Sequence, residues 1–186
     1  MPVKFDLGEY LNDVLVETGT GTAGNVLAAV RAGFPEIHSI ELSPALYAAA
    51  HRALEVALAG APRRSNVVLY QGHSVAGLRQ VCGQVHHRRA TFILDAYSAP
   101  GDATEAVAAE RPLLEEIGVI AQRFRDSLIL PVIIVCGIGR DVGGPPLDAV
   151  VDAVLDLCAD YQFRVRDDDR RRNVLVALPP TWTQAC

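Results

Sequence analysis

The sequence predicts one α/β domain, doubly wound about a sheet of roughly seven strands that is mostly parallel, with one antiparallel strand in a C-terminal hairpin. Three observations carry this. Short runs rich in Val, Ile and Leu alternate with longer segments rich in Ala, Leu and Glu, as strands buried on both faces alternate with crossover helices. The first such run ends in a Gly/Thr-rich turn that opens a helix. The last two β-type runs are joined only by Asp167 to Arg172, too short for a crossover helix, so they must be antiparallel neighbours. A chain of 186 residues, 50% hydrophobic and 21% charged, suits a single packed core, and 1–186 is read as one domain.

Taken in order, Asp13 to Glu17 is the first strand and Thr18 to Gly24 the turn. Asn25 to Ala32 is a helix closed by Gly33, since glycine tolerates the left-handed conformation that ends helices. Ile37 to Leu42 is the second strand. Ser43 and Pro44 then supply an N-cap and a first helical residue, and Leu46, Ala50, Leu54 and Ala57 give the apolar stripe of a helix ending near Gly60. Asn66 to Tyr70 is the third strand, followed by a helix from Ser74 to Cys82. Thr91 to Asp95 is the fourth strand. Glu105 to Phe124 reads as helix, with Pro112 and Gly118 as breaks. Leu128 to Cys136 is the fifth strand, Gly137 to Pro146 a loop and Leu147 to Asp160 a helix. Tyr161 to Arg166 and Asn173 to Leu178 form the hairpin. Residues 1–12 read as an N-terminal arm or a lid over a pocket mouth.

Composition narrows the function. With 22 acidic against 17 basic residues and a net charge of −5, no basic excess points to nucleic acid. The longest apolar run is interrupted by Pro131 and falls far short of the roughly 20 residues of a bilayer span. Met1 to Asp6 lacks a charged segment followed by an apolar one, so no signal peptide is expected. Cys82, Cys136, Cys158 and Cys186 show neither a CxxC pair nor a disulfide framework, which fits a reducing cytoplasm.

The chemistry concentrates in Val16-Glu-Thr-Gly-Thr-Gly-Thr-Ala-Gly24. Gly19, Gly21 and Gly24 fit the GxGxxG spacing, which lets the backbone turn sharply and a ligand approach the main chain. Glu41 ends the second strand about 20 residues on, where an acid accepts hydrogen bonds from ribose hydroxyls. An adenosine-type ligand is therefore expected. For a dinucleotide, Glu17 is a difficulty: a carboxylate just before the turn repels a diphosphate at the helix N-terminus and suits a ligand bearing an ammonium. The chain also has no room for the separate substrate domain of a dehydrogenase.

Glu17-Thr-Gly-Thr-Gly-Thr-Ala-Gly24 resembles motif I of the class I S-adenosylmethionine (SAM) dependent methyltransferases, whose fold is Rossmann-like. The resemblance continues through Ile40-Glu-Leu-Ser-Pro44, Leu69-Tyr-Gln-Gly-His-Ser74, Phe92-Ile-Leu-Asp-Ala-Tyr-Ser98 and Pro112-Leu-Leu-Glu-Glu-Ile117. In order and spacing these are similar to a small bacterial methyltransferase-like group with an IELSP strand end, a GDS turn, an LDAHYSGG loop and a PLLEEL helix. It implies that Glu17 and the Thr18, Gly19, Thr20 and Gly21 backbone face the methionine part of SAM. Glu41 would hold the ribose, Leu42 would pack on the adenine, and Gly72, His73 and Ser74 would border it. Asp95, ending the fourth strand, would lie near the methyl group and act as catalytic base or orient the acceptor. SAM would be the cofactor and S-adenosylhomocysteine (SAH) the product, with a small-molecule or sugar-type hydroxyl or amine as acceptor. A non-catalytic SAM-binding protein and an NAD(P)-dependent oxidoreductase are the alternatives.

This chain departs from the group at three places: His73 replaces the acid of the GDS turn, Asp95 to Asp102 lacks the histidine of LDAHYSGG, and Cys136 to Asp141 follows the fifth strand. Tyr97 and Asp102 are weaker candidates for catalysis than Asp95. No metal site is expected: Cys82, His86 and His87 lack the further ligands of a zinc site, and nothing in their spacing makes Asp95, Asp102 and Asp141 hold magnesium. Asp167 to Arg172 reads as a solvated hairpin tip. Trp182 would dock the tail or cover a contact in a homodimer.

Overall fold

A computed structural model describes residues 6–59, 65–95, 112–138, 145–167 and 173–182. Seven strands form one sheet: β1 (Val14–Thr18), β2 (Glu36–Glu41), β3 (Asn66–Gln71), β4 (Ala90–Leu94), β5 (Val132–Ile138), β6 (Gln162–Asp167) and β7 (Asn173–Leu178). Their order is β3-β2-β1-β4-β5-β7-β6. The β1 pairings with β2 and β4, and those of β2 with β3 and β4 with β5, are parallel. Only β7 is reversed, running antiparallel to both β5 and β6. The chain therefore winds outward from β1 to the edge strand β3 and returns to place β4 on the other side of β1. That reversal opens a crevice at the carboxyl ends of β1 and β4.

Strands β1, β4 and β5 are buried along their whole length, which is why they read as continuous apolar runs. Alternate residues serve two cores. Leu15, Ile37, Ile93 and Ile134 face α1 (Gly24–Ala32) and α2 (Pro44–Leu58), meeting Val26, Ala29 and Leu54. Val16, Phe92, Ile133 and Val135 face α3 (Ser74–Val85), α4 (Leu113–Phe124) and α5 (Leu147–Leu155), meeting Leu78, Ile120, Phe124 and Val150. Phe92 and Phe124 meet edge to face with centroids 5.7 Å apart. Helix α3 comes so close to the sheet at Gly77 that a Cβ there would stand 2.9 Å from two carbons of Ile40.

Local signals act as expected where the chemistry is local. Ser43 caps α2, its hydroxyl accepting from the Leu46 N–H at 3.3 Å with Pro44 at the first position. Gly33 ends α1 at φ 93°. Several boundaries differ, most of them by one to three residues. Strand β5 begins at Val132, not Leu128, because the Ser127 hydroxyl ties up the Ile129 backbone and Pro131 has no N–H for a ladder. It continues to Ile138 through a register shift against β7, where Gly137 takes φ 74°. Gly118 sits exposed within α4 without breaking it, and α5 stops at Leu155. Residues 105–111 lie outside the described residues.

The described part of the N-terminal segment is a short 3-10 helix, Leu7–Tyr10, with both ends of that span buried. Asn12 Nδ2 donates to the Ala90 carbonyl and to Thr91 Oγ1, and the Thr91 hydroxyl donates to the Tyr10 carbonyl. This arm thus packs at the amino ends of β1 and β4. Trp182 stacks on Tyr10 at 6.3 Å and docks the tail there. Among the described residues no helix is long and apolar enough to cross a membrane.

Candidate functional site

The strand ends around the crevice are fastened to one another by main-chain hydrogen bonds. The Gly19 and Thr20 N–H groups donate to the Ile40 carbonyl at 2.9 and 3.3 Å, and the Gly72 N–H donates to the Glu41 carbonyl at 2.8 Å. The Asp95 N–H donates to the Thr18 carbonyl at 3.1 Å. The residues expected at the site, Glu17 to Gly21, Glu41, Leu42, Gly72 to Ser74 and Asp95, therefore come together at the ends of β1, β2, β3 and β4. The turn after β1 needs left-handed backbone. Gly19 takes φ 80°, Gly21 φ 54°, and Ala23, at φ 64°, is strained in a region alanine avoids.

Glu41 organises this turn. Its Oε2 accepts from the Gly21 N–H at 2.8 Å and its Oε1 from the Ser43 N–H at 2.9 Å. Each carboxylate oxygen keeps a second lone pair for a ligand hydroxyl. Gly21 and Gly72 (φ 150°) both face open space, where a Cβ would meet nothing within 4 Å. Leu42, next to Glu41, is 45% exposed. An acid with spare lone pairs, two glycines fronting open space and an exposed apolar side chain fit an adenosine-type group. His73 is exposed, precedes α3 and makes no side-chain cap bond, whereas Ser74 is buried.

Glu17, near the end of β1, is completely buried. The Ser39 hydroxyl donates to its Oε2 at 2.6 Å. Ser39 Oγ lies 2.6 Å from Thr20 Oγ1, so with the Ser39 proton committed the Thr20 hydroxyl is the donor. Glu17 Oε1 has no hydrogen-bond partner among the described residues. Burial pushes the Glu17 pKa up to about 8; hydrogen bonds from Ser39 and Asn25 oppose this, and the nearby Asp95 and Glu41 charges add to it. The carboxyl is therefore mostly protonated at neutral pH, and it becomes a partner for a cation on giving up that proton.

Ser39, Asn25 and Glu116 belong to this region without having been expected. Ser39 is set opposite Glu17 by the parallel register of β1 and β2. Glu116, on α4, is buried and its Oε2 accepts from Thr18 Oγ1 at 3.3 Å. Burial pushes its pKa up to about 7 against the hydrogen bonds of Ser74 and Thr18. Asp95 is half-buried beside Glu17. Tyr97, Asp102, Asp141 and most of the Asp167 to Arg172 tip lie outside the described residues. Cys82 is buried in the core while His86 and His87 are exposed. Among the described residues no group of three or more His, Cys, Asp or Glu gathers as metal ligands would.

No family model matches the chain, and no curated protein matches it in sequence. Solved structures do match in fold. An O-methyltransferase from Bacillus cereus in complex with SAH superposes with a TM-score of 0.61 at 13% identity, covering 90% of this chain and 74% of that one. Precorrin-6y C5,15-methyltransferase from Geobacter metallireducens gives 0.58 at 16% identity, covering 91% and 80%. Magnesium protoporphyrin IX methyltransferase from Synechocystis, with bound SAM, gives 0.58 at 14% identity, covering 91% and 70%. With a mostly parallel seven-stranded sheet, β7 reversed and the crevice between β1 and β4, the chain has the Rossmann-like fold of the SAM-dependent methyltransferases.

Proposed function

We propose that the chain is a SAM-dependent methyltransferase acting on a hydroxyl or amine of a small-molecule or sugar-type acceptor. The observation that carries this reading is the grouping of Glu17, Glu41 and Asp95 at the ends of β1, β2 and β4 around one glycine turn. In it, Glu17 and the 18–21 backbone face the amino-acid part of the cofactor, Glu41 takes the ribose hydroxyls and Leu42 packs on the adenine. Gly72, His73 and Ser74 border the ring. SAM, when bound, supplies a methyl group carried on a sulfonium. The chain supplies position: the Thr18–Asp95 main-chain bond fixes the start of the acceptor side relative to the turn, and near-attack placement is worth much of such a barrier. Asp95 takes the acceptor proton or orients the acceptor. The proposal includes a bacterial, cytoplasmic setting, which rests on the motif resemblance and on the cysteine spacing.

A second reading, SAM binding without turnover, is favoured by His73, which stands exposed and uncapping where the resembling group has an acid. Calorimetry with SAM, SAH and NADH, followed by a methyl-transfer screen over hydroxyl and amine acceptors, decides. Tight SAH binding, no NADH binding and turnover that Asp95→Asn abolishes support the proposal. SAH binding with no transfer supports the second reading. NADH binding in place of SAH refutes both.

A further inference from the structure

Glu116 is a carboxyl where the helix pattern asks for a hydrocarbon. Its stripe of α4 continues, four and eight residues on, with Ile120 and Phe124, both fully buried, and Glu116 itself is only 1% exposed. Thr18 Oγ1 donates to its Oε2 at 3.3 Å, the Ser74 hydroxyl is another polar neighbour, and Oε1 has no hydrogen-bond partner among the described residues. No charged side chain among the described residues accompanies it, and burial raises its pKa. A leucine would remove the incompletely satisfied carboxyl itself, leaving only the Thr18 hydroxyl to find another acceptor. Packing alone thus gives no reason for the acid.

Its neighbours do give one. Thr18 is the last residue of β1: its hydroxyl goes to Glu116, its carbonyl holds the Asp95 N–H at 3.1 Å, and Gly19 of the turn follows it. Ser74 opens α3 directly after Gly72 and His73. One carboxyl, delivered by α4, thus meets the turn after β1 and the turn after β3, and reaches Asp95 through Thr18. We propose that Glu116 is a positioning residue that holds these two turns and Asp95 in register with α4. The inference rests on the cofactor reading of the cleft.

The test compares wild type, Glu116→Gln and Glu116→Leu by thermal unfolding at pH 8 and by calorimetric SAH binding. Glu116→Leu is expected to melt at or above the wild-type temperature while SAH affinity falls by about tenfold or more, as misplaced binding groups do. Glu116→Gln keeps an acceptor for the Thr18 hydroxyl and is expected to stay within about threefold. A purely structural side chain would give the opposite pairing, lower stability with affinity kept. Wild-type affinity in Glu116→Leu, or equal loss in both variants, overturns the proposal. If Glu116→Leu does not fold, Thr18→Val cuts the same link from the other end: a similar loss of SAH affinity supports the proposal and an unchanged affinity overturns it. Failure of the wild type itself to bind SAH overturns the cofactor reading, and this proposal with it; binding by wild type and all variants alike overturns this proposal only.

Discussion

Replacing Glu17 by glutamine is expected to remove a pH dependence from both folding and ligand binding. The carboxyl is fully buried and its pKa stands at about 8 against an ordinary 4.5. An acid raised in this way binds a proton in the folded state that the unfolded chain has released. Its effect on stability is therefore absent below about pH 4.5, grows as the pH rises, and is complete above about pH 8 as a loss. At about 1.4 kcal/mol per unit the ceiling is roughly 5 kcal/mol. Urea unfolding at pH 5, 7 and 9 reads it: the two proteins should be close at pH 5, and Glu17→Gln should be the more stable at pH 9. Ligand binding reads the same proton. At pH 7 about nine-tenths of a group with pKa 8 is protonated, and an ammonium arriving within about 6 Å favours the ionised form. SAH binding, measured by calorimetry in buffers of different ionisation enthalpy, should then release close to one proton. Affinity should rise about tenfold from pH 7 to pH 9 as the competent fraction grows. Glu17→Gln should bind more weakly and release none. Parallel stability profiles for the two proteins, or SAH binding without proton release in the wild type, would refute the reasoning.

Glu41→Ala removes the acceptor of both the Gly21 and Ser43 N–H groups. It should cost roughly 2–4 kcal/mol in urea unfolding and abolish measurable SAH binding, with Glu41→Gln intermediate because its amide offers one acceptor for two donors. Gly77→Ala places a Cβ against Ile40. It should destabilise by about 1–3 kcal/mol, and the double variant Gly77→Ala/Ile40→Val, which trims the opposing side chain, should recover part of that in the same assay.

What could be read in the chain was what short-range chemistry writes there. The glycine turn, the Ser43-Pro44 helix start and Gly33 each satisfy a backbone requirement within a few residues, and each is where the sequence placed it. The six-residue link before Asn173 sufficed to make β6 and β7 antiparallel. What was hidden depends on register and on contacts far along the chain. Nothing near Glu17 says that Ser39 stands opposite it, because that is a property of the β1–β2 pairing. Nor does a strand buried on both faces announce which way its acid points, so the seclusion of Glu17 was not legible. The apolar run from Leu128 resembled a strand until Pro131 and the Ser127 turn took its first residues out of the ladder. Glu116 was different: an acid at the head of a stripe continued by Ile120 and Phe124 is a visible break in period, and that break was the available signal.

The sequence by itself points to a discrimination between a cationic amino acid and a diphosphate that rests on repulsion by Glu17. Its burial and raised pKa change that account, since a protonated carboxyl repels little at neutral pH. The stronger obstacle to a diphosphate is Glu41. A diphosphate at this turn would recruit backbone N–H groups near the start of α1, but the Gly21 N–H is already taken by Glu41 Oε2 at 2.8 Å. Glu17 then acts in the other direction. On the proposed reading its burial favours the neutral form in the free protein, and a positive group on the ligand favours the ionised one. On that reading the cleft selects its ligand with two acids in different roles: one hydrogen-bonded into the backbone, one holding a proton that the ligand's ammonium displaces.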